Sequence, residues 1–132
     1  MEADSNEMPA ELDHISDWFW DIVGRANKSQ DTLEEILGAM SMEEVRRFQE
    51  EFVDASAEIQ AEPFTDHMIK GSEDSVEDVA HWVVSQGREY FLRIWNNPEQ
   101  IPFSVEEADA SNLYSVAPKV YYERFGETID VY

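Results

Sequence analysis

The sequence predicts an all-α fold, a compact multi-helix bundle of about six to eight helices around one core. Three observations lead there. Apolar residues recur at three- and four-residue spacing along most of the chain, and no segment shows clear apolar–polar alternation. Asp or Ser followed three residues later by Glu, the spacing of a capping box, occurs at Asp31 and Glu34, Ser41 and Glu44, and Ser104 and Glu107. Hydrophobic residues make up 42% of the chain and aromatics 12%, enough to fill an interior despite the heavy charge.

Taken in order, residues 1–15 read as a loose acidic leader, with room for a short helix near Ala10–His14. Ser16 is a suitable N-cap for a first helix over 17–28, whose Trp18, Phe19, Ile22, Val23 and Ala26 form a stripe. Asp31 opens a second helix over 32–40, with Leu33, Ile36, Leu37 and Met40 inward. Ser41 opens the longest, from Met42 to about Gln60, where Val45, Phe48, Phe52, Ala55 and Ile59 step by three and four. Its outer face carries the ion-pair spacings Arg46–Glu50, Glu43–Arg47 and Arg47–Glu51. Pro63 interrupts it, and a short helix over 64–70 ends at Gly71. Ser75 caps a helix over 76–86; its valines make a strand the competing reading, and Gly87 favours helix. A helix over 88–96 follows, then a Pro98 turn, a helix from Ser104 to about Leu113, and a last helix from Pro118 to Phe125 stopped by Gly126. Residues 16–126 make a single helical domain, and 127–132 an extended tail.

Charge narrows the function classes. The 132 residues hold 30 acidic and 9 basic side chains, a net charge of -21 shared by both halves. Direct nucleic-acid binding needs Lys and Arg against phosphates, and anionic membranes repel the same surface. A basic protein is the partner such a field steers in; solubility alone is the plainer use of it. With no cysteine, disulfides, thiolate nucleophiles and thiolate-bound metals are excluded. No basic-then-apolar leader and no bilayer-length apolar run is visible, so the expected compartment is the cytoplasm.

Few residues point to chemistry. Asp74, Gln86 and Arg88 flank one helix and its Gly87 exit; they read as a structural network or as a recognition site in which the guanidinium grips an anion. Trp20, in the run Trp18-Phe19-Trp20, is a candidate binding anchor, because three successive aromatics cannot all face one core. His14, His67 and His81 lack metal-site spacing, so neither a metal nor a cofactor is expected. Asp13, Asp17 and Asp21 lie four apart, on one face if the first helix starts early. Glu73, Asp74, Glu77 and Asp78 form a second acidic group without the order of a calcium loop. No nucleophile elbow or phosphate loop is present in the sequence.

Several segments stand out together: Phe19-Trp20-x-Ile22-Val23 then Arg25-Ala26; Ser41-x-Glu43-Glu44-Val45-x-x-Phe48; Gly71-Ser72-Glu73-Asp74-Ser75; Trp82-Val83-Val84-Ser85-Gln86-Gly87-Arg88-x-x-Phe91; and Asn97-Pro98-Glu99. Over roughly residues 17–125 the chain resembles domain-of-unknown-function family 4240. Val76 and Val79 stand where that family often has an aromatic, and Glu99 where it often has Asp. The resemblance implies a helical bacterial domain and no activity.

The functional expectation is a non-enzymatic module binding a protein partner of basic character, such as an immunity or inhibitor protein or a regulatory adaptor. Two other readings stand beside it: a nucleic-acid mimic, whose carboxylates imitate phosphates along an elongated face, and a small enzyme with Asp74, His81 and Arg88 converging on a cleft. The oligomeric state is not legible at this level.

Overall fold

The computed structural model describes residues 10–68, 73–106 and 109–129, with the side chains of Glu73 and Asp74 excepted. Its helices are α1 (Asp17–Ala26), α2 (Gln30–Gly38), α3 (Met42–Ala57), α4 (Glu73–Ser85), α5 (Arg88–Asn96) and α6 (Val116–Phe125). Short 3-10 turns lie at Ala10–Leu12, Phe64–His67 and Pro98–Gln100, and the described residues include no strand. The all-α expectation holds, with the lower number of full helices. Helix α3 packs against α1, α4 and α6, which makes it the spine.

Local chemistry explains most boundaries. The Ser16 hydroxyl accepts the Phe19 N–H and starts α1. The helix stops at Ala26, before the expected Lys28, because Asn27 and Lys28 both turn left-handed, with φ 49° and 63°. That turn hands the cap of α2 to Ser29, whose hydroxyl accepts the Thr32 N–H; Asp31 lies inside the helix. At α3 the capping box is complete, with Ser41 and Glu44 bonding each other's backbone N–H. Those bonds hold the Glu44 carboxyl below its usual range. The far end of α2 is closed from a distance by Arg124 of α6, which donates to the Leu37 and Met40 carbonyls.

The valine-rich segment is helix, as its flanks indicated: Val79, Ala80, Val83 and Val84 are buried as a two-wide stripe. It begins at Glu73, so Ser75 sits in the first turn instead of capping it. Gly87, at φ 109°, makes the corner into α5, a conformation that strains any residue with a Cβ. Helix α6 begins two residues before Pro118 and ends at Gly126, φ 69°. The expected helices over 64–70 and 104–113 are corrected. The first is a 3-10 turn docked through Phe64 on Trp95, with ring centroids 5.7 Å apart. Across the second, the described residues are irregular, with a turn at 110–111. Asp109 accepts the Ser111 N–H and Asn112 accepts the Tyr114 N–H, side-chain bonds that compete with helix. Gly71 and the tail residues 130–132 lie outside the described residues, as do Lys70 and Glu107.

The core runs from Leu12 and Ile15 to Ile129. At its centre Phe52 meets Phe19, Phe48 and Tyr114, at 6.0, 6.1 and 5.6 Å between ring centroids. Two polar side chains sit at its edge for different reasons. Glu51 is buried, and its carboxylate accepts the Ser16 N–H at 2.6 Å, the Ser16 hydroxyl at 3.0 Å and Arg47 Nε at 3.0 Å. It thereby ties the start of α1 to α3. Glu51→Ala is expected to destabilise the fold by about 2 kcal/mol, since three donors lose one anionic acceptor. Urea unfolding measures this, and a loss below about 0.5 kcal/mol would contradict it.

Gln49 is wholly buried, and neither amide atom has a hydrogen-bond partner among the described residues. A desolvated amide with no partner is a net cost. Gln49→Met keeps the side chain's length and removes the amide, so it is expected to raise stability by about 1–2 kcal/mol. A drop in the unfolding midpoint would show instead that an internal water satisfies the amide in solution.

Candidate functional site

Among the described side chains, the residues singled out in the sequence do not assemble into one site. Trp20 is 3% exposed and packs on Phe19 and Phe91, with centroids 5.0 and 5.2 Å away. The aromatic of that run left partly at the surface is Trp18, covered by the Arg47 guanidinium 4.4 Å from its ring centre. A helix starting at Asp17 turns Phe19 and Trp20 inward together, which removes Trp20 as a surface anchor. Arg88 Nη2 meets Asp17 Oδ1 at 3.0 Å, linking α5 to α1. With Asp17 largely in water, that pair adds about 0–1 kcal/mol. The Asp74 side chain lies outside the described residues. His81 faces clefts that Arg88 does not line, so the convergence of His81 with Arg88 required by the enzyme reading is missing.

The other candidates scatter as well. Asp13 precedes α1, Asp21 pairs with Arg25 at 3.8 Å, and Asp17 is taken by Arg88, so the proposed acidic stripe is broken. His14 Nε2 lies 3.4 Å from Glu58 Oε1, and His67 is exposed in its 3-10 turn. Among the described residues, no group of three or more His, Asp or Glu side chains is placed to hold a metal ion. No helix there is long and apolar enough to cross a membrane.

Gln86 leads to the most structured concavity. Its Nε2 donates to the Trp82 carbonyl at 3.1 Å and lies 3.3 Å from Ser111 Oγ, which bonds Asp109 Oδ1 at 2.6 Å. Next to it, the buried Ser85 hydroxyl donates to the His81 carbonyl at 2.7 Å and accepts the Leu113 N–H at 2.8 Å. From α2, Gln30 Nε2 donates to the Asn112 carbonyl at 2.9 Å. The turn at 109–115 is thus pinned by three side chains, Gln30 of α2, Ser85 of α4 and Gln86 just beyond it. It forms one wall of a cleft of about 380 Å³. The other walls bring Gln30 from α2 and Asp78 and His81 from α4 against Asp109, Asn112 and Tyr114.

His81 and Tyr114 stack at 3.7 Å with their planes 6° apart, and Phe52 lies against both rings. Burial pushes the His81 imidazole down to about 4, so it is neutral near pH 7. Bonds from Ser111 hold the Asp109 carboxyl below its usual range, and the nearby Trp82 indole adds to this from outside hydrogen-bonding geometry. The same two rings form a partition shared with a second cleft of about 320 Å³, where Ser56, Gln60 and Glu77 lie. Tyr114 also borders an apolar depression beside Pro118, Tyr122 and Ile129. Among the described residues, neither the 380 Å³ cleft nor the 320 Å³ one has Lys or Arg in its lining.

Sequence reading passed over this place. Asp78 and His81 were in view, but Gln30, Asp109 and Asn112 were not. The available signal was the pair Asp109-x-Ser111 and Asn112-x-Tyr114, which suits side-chain-to-backbone turns as well as helix.

Fold and site together define a small helical domain with an acidic, aromatic-walled cleft. The chain belongs to the family described as "Protein of unknown function (DUF4240)", whose model matches residues 15–123. No curated protein and no solved structure matches it.

Proposed function

We propose that this chain is an interaction module that binds a basic protein partner through its carboxylate surface. The observation that carries this is how its own cations are used. Arg25, Arg46, Arg47, Arg88 and Lys119 each pair with a carboxylate of the chain, at 2.6–3.8 Å. Arg124 is turned onto backbone carbonyls, and Arg93 lies over the Tyr90 ring, 4.9 Å from its centre. Five cations are therefore spent on carboxylates of the chain itself, and at net charge -21 the acidic side chains remain in large excess. Such a field steers a partner of opposite sign and rejects nucleic acid and anionic lipid. An immunity or inhibitor protein, or a regulatory adaptor, works in this way without catalytic groups.

The test is capture from the cells that make the protein, identification of the stoichiometric partner, and reconstitution from purified components. A basic partner is expected, with affinity falling at least tenfold as salt rises from about 50 to about 300 mM. An acidic partner, or affinity indifferent to salt, would overturn the proposal.

A further inference from the structure

We infer that the cleft between α2, α4 and the 109–115 turn receives one arginine side chain of a protein partner, with Asp78 and Asp109 facing the guanidinium and the stacked His81 and Tyr114 rings forming its aromatic wall. This rests on the basic-partner reading and deepens it to a place and a side chain. Four features point the same way. The cleft, about 380 Å³, falls in the range that encloses a small group. Two carboxylates from different elements line it, and no cation is among its described lining residues. The same lining includes a pair of rings in face-to-face contact, 3.7 Å apart. The remaining polar side chains in its described lining, on Gln30, Asn112 and Ser115, and the Tyr114 hydroxyl carry no charge near neutral pH, and the Gln30 bond to the Asn112 carbonyl fixes the wall in place.

A guanidinium suits this combination better than an ammonium. It is planar, weakly hydrated, stacks on aromatic surfaces and presents a fork of N–H donors to carboxylates. His81 adds ring surface without charge, because its burial keeps it unprotonated at neutral pH. A protonated imidazole there would repel the guest. The wall is also stiff. Phe52, at the centre of the core, backs both rings, so little order has to be created on binding.

The test is an NMR titration of the full chain with N-acetyl-arginine methylamide and, in parallel, N-acetyl-lysine methylamide. Capped arginine is expected to bind with a Kd of ~1–10 mM, shifting the His81 and Tyr114 ring signals and the Gln30 and Asn112 amides. Capped lysine is expected to bind at least about threefold more weakly. Asp78→Asn is expected to weaken the arginine probe at least about fivefold, and Glu50→Gln, on the outer face of α3 beside Arg46, to leave it unchanged. Asp109→Asn serves as the second variant if Asp78→Asn does not fold. Shifts scattered over the acidic surface, equal binding of the two probes, or an arginine affinity unaffected by the folded Asp variant would overturn the inference. The partner complex separates the two claims. A salt-sensitive complex that survives Asp78→Asn and Asp109→Asn unchanged removes the cleft and leaves the basic-partner reading standing. A partner that proves acidic removes both.

Discussion

Phe52→Ala is expected to lower the stability of the fold by about 3–5 kcal/mol, the largest effect of any single truncation considered. The ring has no exposed surface and lies on the spine helix, in contact with aromatic residues from α1, α3, α4 and the 109–115 turn. Its removal forfeits the transfer energy of a whole benzyl group and leaves a void that rings on several elements cannot close together. Native domains hold only about 5–15 kcal/mol in total, so a large share is at stake. Urea unfolding should show the midpoint falling with little change in slope. Phe103, 62% exposed, is the matched control, and Phe103→Ala should move stability by no more than about 0.5 kcal/mol. The same void should release the His81–Tyr114 stack, so His81 in the variant should titrate closer to its ordinary value. A loss below about 1 kcal/mol from Phe52→Ala would mean that the core is not organised around this ring.

The second large effect is a dependence of stability on pH that originates in His81. In the unfolded chain this imidazole titrates near its ordinary 6.5, and in the fold burial holds it at about 4. Above pH 6.5 both states carry the neutral ring, so it contributes no slope. As pH falls below 6.5, the unfolded chain takes up a proton that the folded chain refuses, and stability declines by up to about 1.4 kcal/mol per pH unit. By pH 4 the accumulated loss is about 3 kcal/mol. Burial governs this even though Asp78 and Asp109 line the same cleft and Glu77 lies in the adjoining one. Glu44 and Asp109, whose carboxyls are held low, add losses of their own only from the ordinary carboxylate range downward. Relief of repulsion among the carboxylates works in the opposite sense and is common to any variant. The difference between the native chain and His81→Gln isolates the ring: the native curve should fall more steeply between pH 6.5 and 4.5. Parallel curves, or a folded-state His81 that titrates above 6 by NMR, would refute the assignment.

Elements whose evidence was local were readable in advance. The Ser16 cap, the Ser41–Glu44 box and the three-four stepping from Val45 to Ile59 each depend on residues within a turn or two of one another. Where a local signal had a rival, reading by spacing failed. Asp31 and Glu34 match a capping box as well as Ser41 and Glu44 do, yet two left-handed residues at 27 and 28 gave the cap to Ser29. Ser104 and Glu107 matched it too, but Asp109 and Asn112 turned their side chains onto the backbone, and the described residues of that stretch hold no helix. Trp20 looked like a surface anchor only while the rotation of α1 was unknown.

Class of fold, spine, excess of negative charge and absence of thiol chemistry were all settled by the order and kind of the residues, because helix periodicity and capping act over a few residues and net charge needs no geometry. The cleft was settled by packing alone. Gln30 and Asn112 are 82 positions apart, and Ser85 and Leu113 are 28 apart. Such bonds form only after the helices have closed on their apolar faces and carried distant polar groups within reach. The neutrality of His81 has the same origin, since desolvation belongs to the surroundings that the fold builds around the ring.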